Sequence, residues 1–200
     1  MNNCSYPPMP EKLLDFRVFL IVVWRALGLP DPTPIQLDIA SFLSSGNRRK
    51  VIEAFRGVGK SWITSAYVMW RLRINPNLKF LVVSAGKERS DNFTSFCLKL
   101  IDQVDVLKCM KSQKTMRSSK SSFDVSCCVL DHAPSVKSIG ISGQLTGSRA
   151  DEIIADDIET ASNSLTQYAR DKLSEAIKEF DRKIKLDENV LRHLIIREEE

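Results

Sequence analysis

Residues 51–61 read VIEAFRGVGKS: a short apolar run, then an arginine, two glycines, a lysine and a serine. Up to Phe55 the run reads as a buried strand, and WITSAYVMWRL from Trp62 onward reads as a helix. A strand that breaks into a glycine-containing turn and feeds a helix aims several backbone N–H groups, the helix's positive end and one lysine at a single point. That point suits a polyphosphate. The spacing approaches the phosphate-loop pattern GxxxxGK[ST], with Ala54 standing at the first glycine position. On this basis Gly57, Val58 and Gly59 bring backbone to the phosphates, Lys60 reaches the β and γ groups, and Ser61 ligands Mg²⁺. The plainer alternative is a helix start that happens to contain Gly-Lys.

A second motif lies about a hundred residues downstream, in GQLTGSRADEIIADDIET. Ile153, Ile154 and Ala155 form the end of a buried strand that delivers Asp156 and Asp157 at its carboxyl tip, where open parallel sheets bind ligands. An apolar strand ending in two acids is the Walker B pattern. Asp156 is expected to hold the Mg²⁺ of an ATP complex, chiefly through its water shell. Asp157 is expected to orient or deprotonate the attacking water. Asp is one methylene shorter than the more usual Glu, so either the water sits closer or Glu159, two residues on, takes part. Two aspartates capping a helix at a strand exit are the alternative.

Two arginines and a glutamine complete the candidate site. A phosphoryl-transfer site needs positive charge on the departing γ-phosphate. Arg56, inside the phosphate loop, can supply it in cis; Arg149, in the TGSRAD turn before the acidic strand, can serve a neighbouring subunit or contact DNA. Either could instead be a surface arginine paired with a nearby acid. Gln36, upstream of the loop, can donate and accept at once toward an adenine edge, although a glutamine on a helix surface is more often simply solvated.

The rest of the chain frames these motifs. Two hundred residues with 43% hydrophobic content suffice for one domain with a core, and a net charge of +4 permits an anionic partner without requiring one. The five cysteines show neither zinc spacing nor a closed disulfide framework, so reduced thiols in a cytoplasmic protein are expected. The longest apolar run near the start, Val18 to Trp24, is too short to span a bilayer, and no signal peptide is expected. Residues 1–12, with three prolines, should be extended and poorly ordered, followed by a helix over Leu13 to Leu27. Thr33 should cap a second helix with Ile35, Ile39, Phe42 and Leu43 on one face. Lys60 to Ile74 and Lys87 to Ile101 read as helices, with the buried strand KFLVVSA between them. The alternation predicts a doubly wound α/β domain. Residues 108–122 carry five cations at every third position with no acid among them, which predicts a mobile loop that either contacts phosphate backbone or is merely solvated. Two short strands, FDVSCCVL and SVKSIGISG, should pair through a turn holding His132 as a turn residue.

Taken together, PTPIQLDIA, AFRGVGKSWITSAYVMW, FLVVSAGKERSDN and DHAPSVKSIGISGQLTGSRADEIIADD resemble the N-terminal ATPase half of the terminase large subunit (DNA maturase B) of short-tailed phages, over roughly residues 13–180. The resemblance implies an α/β, three-layer P-loop NTPase of ASCE type with a mostly parallel sheet, preceded by N-terminal helices. It implies an ATP- and Mg²⁺-dependent motor in the host cytoplasm, acting at the viral prohead with double-stranded viral DNA, a portal protein, a small terminase subunit and neighbouring copies in a ring. Gln36, Arg56, Asp156 and Asp157 match the family's adenine, loop-arginine and Walker B positions. Many large terminases have Arg-Gly where this chain has Thr146-Gly147, so Arg149 is the substitute. The implied division is a helical lead-in over 1–45, an ATPase core over 46–185 and a diverged or truncated tail over 186–200 without the expected strand, with the coupling motif and the nuclease domain not visible. The alternative is a truncated, non-catalytic fragment that binds DNA or portal.

Overall fold

The computed structural model describes residues 5–112, 116–143, 149–158, 165–186 and 192–199. After a short 3-10 helix at Glu11–Leu14 come α1 (Phe16–Ala26), α2 (Pro34–Ser44), β1 (Arg49–Phe55), α3 (Lys60–Ile74), β2 (Phe80–Ser84) and α4 (Lys87–Gln103). A second 3-10 helix, Asp105–Met110, leads to β3 (Ser122–Phe123), β4 (Val136–Gly140), β5 (Glu152–Asp156), α5 (Gln167–Leu186) and β6 (Arg192–Glu199). The sheet order is β1-β6-β5-β2-β4-β3, parallel except for β3 against β4. This is the three-layer, mostly parallel α/β architecture expected of a phosphate-loop fold.

Alternation within the buried strands divides the core between two faces. Phe80, Val82, Ile154 and Val136 pack with α1 to α4, whereas Leu81, Val83, Ile153 and Ala155 pack with Leu173, Ala176 and Ile177 of α5. On the first face Phe16 of α1 meets Tyr67 and Trp70 of α3 at centroid distances of 5.5 and 5.3 Å, which docks the N-terminal helices on the helix that follows the phosphate loop.

Several expectations are corrected. β1 is buried on one side only: Ile52 and Ala54 face the core, while Val51 and Phe55 are half exposed, because β1 ends the sheet order and the second core lies over β2 and β5. The tail expected to lack a strand supplies β6, seated between β1 and β5. In α2 the buried residues are Ile39, Ala40 and Leu43, with Ile35 and Phe42 turned outward. The first prolines are anchored rather than loose: the Tyr6 hydroxyl donates to the Ser126 carbonyl, and Arg73 donates to the Pro7 carbonyl at 2.6 Å while lying over the Tyr6 ring. That contact brings the start of the chain beside Cys127, which is disulfide-bonded, whereas Cys97, Cys109 and Cys128 are free. Uniformly reduced thiols are therefore not what the fold holds.

The described parts of the basic run, 108–112 and 116–122, are tied down more than expected, while Lys114 lies outside the described residues. Lys108 pairs with Asp105, Lys111 with Asp102 and Arg117 with Asp124, so acids outside the run neutralise three of its five cations. The predicted strand over Phe123 to Leu130 shrinks to Ser122–Phe123, paired antiparallel with β4. His132 sits exposed in the intervening turn, its carbonyl accepting from Arg117. Among the described residues no helix is long and apolar enough to cross a membrane.

Candidate functional site

Parallel strands place the carboxyl ends of β1, β2 and β5 on one edge of the sheet, and the two sequence motifs meet there. Gly57 (φ 91°) and Gly59 (φ 85°) take left-handed conformations that let the chain turn from β1 into α3. Ala54 does not, because it still lies within β1; its carbonyl faces the loop and accepts from Lys60 Nζ at 2.9 Å. Lys60 is 6% exposed and also donates toward the Phe55 carbonyl at 3.4 Å. Its ammonium thus rests on loop carbonyls a short swing from the space in front of the loop.

A cleft of about 610 Å³ lies in that space, lined by Trp24, Leu29, Pro30, Asp31, Thr33, Gln36, the loop residues Arg56, Gly57, Gly59, Lys60 and Ser61, Trp62 and Asp157. Its volume is in the range of small-ligand sites. Gln36 ties its two walls together. The Gln36 Oε1 accepts the Thr33 backbone N–H at 2.9 Å, one half of a capping box on α2, and its Nε2 donates to the Val58 carbonyl at 2.8 Å. A carboxamide has two donor hydrogens and two acceptor sites, so one of each remains for a ligand.

Asp156 and Asp157 stand at the tip of β5. Asp156 is buried, its pKa raised to about 6 by burial and by the neighbouring Asp157 charge, with opposing contributions from the Ser61 hydrogen bond, Lys60 and Arg89. Its Oδ1 is buried without a hydrogen-bond partner. An unsatisfied carboxylate oxygen beside a serine hydroxyl fits a hard divalent cation. No cluster of three metal-ligating side chains occurs among the described residues, so a cation here would need substrate oxygens to complete its shell. Asp157 has φ 45°, and its carboxylate meets Arg89 Nη1 at 3.5 Å. Arg89 was not anticipated from the sequence; the only signal was its place in the first turn of the helix after β2.

The fold therefore gathers Gln36, Arg56, Gly57, Val58, Gly59, Lys60, Ser61, Asp156 and Asp157 around one edge. It does not bring Arg149 there: that residue is exposed before the amino end of β5, and its charge acts on Asp131 instead. Glu159 and the Thr146-Gly147 pair lie outside the described residues.

No family model matches the chain. Over 167 residues, 83% of its length, the chain is 53% identical to the terminase large subunit of Enterobacteria phage T3, and it spans 28% of that protein. The large terminase of bacteriophage HK97 superposes with a TM-score of 0.53 at 14% identity, covering 89% of this chain and 37% of that one, which is a likeness of fold. The ATPase domain of the Thermus phage P74-26 large terminase aligns over 86% of this chain and 66% of its own at 12% identity with a TM-score of 0.45, and nothing is built on it.

Proposed function

Since this chain is a relative of the phage terminase large subunits, we propose that it is the nucleotide-binding part of a DNA-packaging motor. The observation that carries the proposal is the convergence of Gln36, Lys60, Ser61 and Asp157 on one cleft, with Asp156 hydrogen-bonded to Ser61 at its edge. Residues 1–45 form the adenine-side lead-in and 46–185 the ATPase core, to which β6 adds a strand.

In this account ATP lies along the cleft with its base toward Gln36 and the α1–α2 connection. The phosphates sit against Gly57, Val58 and Gly59, and Lys60 exchanges its loop carbonyls for β and γ oxygens. Ser61 and Asp156 would hold Mg²⁺, which when bound would supply positive charge to the phosphates. Asp157 orients the attacking water and accepts its proton, with Glu159 as the alternative acid. Arg56 faces the γ-phosphate in cis; Arg149, on the far edge, is assigned to a neighbouring subunit or to DNA. The work done is translocation of double-stranded viral DNA into a prohead in the host cytoplasm, together with a portal protein, a small subunit and further copies of the motor. The proposal assigns ATP hydrolysis to this chain.

The decisive pair of variants is Lys60→Ala and Asp157→Asn. Lys60→Ala should abolish ATP binding. Asp157→Asn should bind ATP normally and lower turnover by roughly 10²–10⁴-fold, the usual weight of a general base. Asparagine is chosen over alanine because it tolerates the left-handed backbone at this position. ATP turnover unchanged by both substitutions would overturn the proposal.

A further inference from the structure

Against the acidic pair and the Ser61 end of the phosphate loop lies a second cleft of about 410 Å³. Its lining includes Asp156, Asp157, Trp62, Arg89, Asn92 and Lys99. Ser61, Trp62 and Asp157 border both clefts, whereas Asp156 and Arg89 border only this one. The acid assigned to the attacking water thus faces phosphate on one side and an arginine on the other.

The position of Arg89 is built into the fold. The Ala85 N–H donates to the Asp157 carbonyl at 3.2 Å, and the Ile141 N–H donates to the Ser84 carbonyl at 2.8 Å, so the tip of β2 is stitched to both neighbouring strands. Gly140, at the end of β4, allows the next residues of that turn to come close. A Cβ there would stand 3.2 Å from the Gly86 carbonyl carbon and the Lys87 nitrogen, both backbone atoms that cannot give way cheaply. α4 therefore begins hard against the sheet edge, and Arg89, on its first turn, reaches Asp157 Oδ2 at 3.5 Å.

An ion pair of that length with a half-exposed arginine contributes little to folding. Orientation of a reacting group is different: a misplacement of about 1 Å can cost on the order of 10²-fold in rate. Asp157 already has an unusual backbone conformation, so its carboxylate direction is set by its neighbours and not by rotamer preference alone. Building on the proposed hydrolysis, we infer that Arg89 is a positioning residue that holds the Asp157 carboxylate from the second cleft and aims it at the γ-phosphate side of the first.

The test uses the 200-residue chain with Arg89→Gln and Arg89→Lys. Arg89→Gln should lower kcat for ATP by on the order of 10²-fold while the affinity for a fluorescent ATP analogue with Mg²⁺ stays within about twofold of wild type, and Arg89→Lys should recover most of the loss. Unchanged kcat in Arg89→Gln, a loss of affinity as large as the loss of kcat, or no recovery with lysine would overturn the inference. A wild-type chain that binds no analogue contradicts the proposed function, whereas a wild type that binds and turns over ATP, with kcat unchanged in Arg89→Gln, contradicts the role of Arg89 alone.

Discussion

At Gly59 the backbone sits at φ 85° and an added Cβ would lie 3.6 Å from Gln36 Nε2, an ordinary contact. Space is available, so the cost of a side chain here is conformational. Gly59→Ala should lower stability by about 1–2 kcal/mol, measurable by urea unfolding, because an L residue resists this region. Asp156 gives a pH signature in the nucleotide-free chain. Its pKa is raised from 3.8 to about 6, so between those values the folded state binds more protons than the unfolded state, and stability falls as pH rises through this window. Asp156→Asn should therefore stabilise the nucleotide-free chain at pH 7, by up to roughly 3 kcal/mol, and the gain should vanish toward pH 4. Thermal unfolding of both proteins across that range checks the sign. The motif residues were legible because each is fixed by local chemistry: glycines for a turn, lysine for phosphate, acids for a cation. Arg89 was not, because its partner is 68 positions away in sequence, a contact made only by the β2–β5 pairing.

At the scale of elements, the two motifs are held in register by a buried group at the other end of β5. Glu152 accepts from Arg71 Nε at 2.8 Å and from the Tyr67 hydroxyl at 3.1 Å, with the carboxylate side chain only 4% exposed. α3 begins with Ser61 beside Asp156 and carries Tyr67 and Arg71 onto Glu152 further along. Helix and strand are thus fastened at both ends of β5, which fixes the distance between loop and acids. Arg71→Met leaves a buried carboxylate uncompensated and should cost about 3–5 kcal/mol in denaturant unfolding. Glu152→Gln should cost less, since it removes the charge and keeps a carbonyl for the same donors. The boundaries of α3 and the start of α4 were readable from apolar runs bounded by glycine, asparagine and proline. The strand β6 was not: in RHLIIREE only three consecutive residues are apolar, and charges on both sides hide them. Its identity as a strand comes from pairing with β1 and β5, which no local pattern announces.

For the whole molecule, the alternation of strands and helices was enough to predict a layered α/β fold, and the two motifs were enough to predict which edge of the sheet would matter. What sequence could not supply was the lateral order of strands. The phosphate-loop strand and the acidic strand are not adjacent but separated by β6, which sets the width of the site. The same lack of long-range information hid the anchoring of Tyr6 on the Ser126 carbonyl. A molecule organised around one nucleotide cleft should gain stability from its ligand by mass action: at a hundredfold excess over Kd, Mg²⁺ and a non-hydrolysable ATP analogue should add about 2.7 kcal/mol. In a chain of this size that corresponds to a rise in Tm of roughly 5–10 °C. The measurement that tests the central claim most directly is titration of a fluorescent ATP analogue into the wild-type chain and Lys60→Ala, with and without Mg²⁺. The account predicts saturable, Mg²⁺-strengthened binding to the wild type that is lost in Lys60→Ala; no saturable binding to the wild type, or equal binding to both proteins, would contradict it.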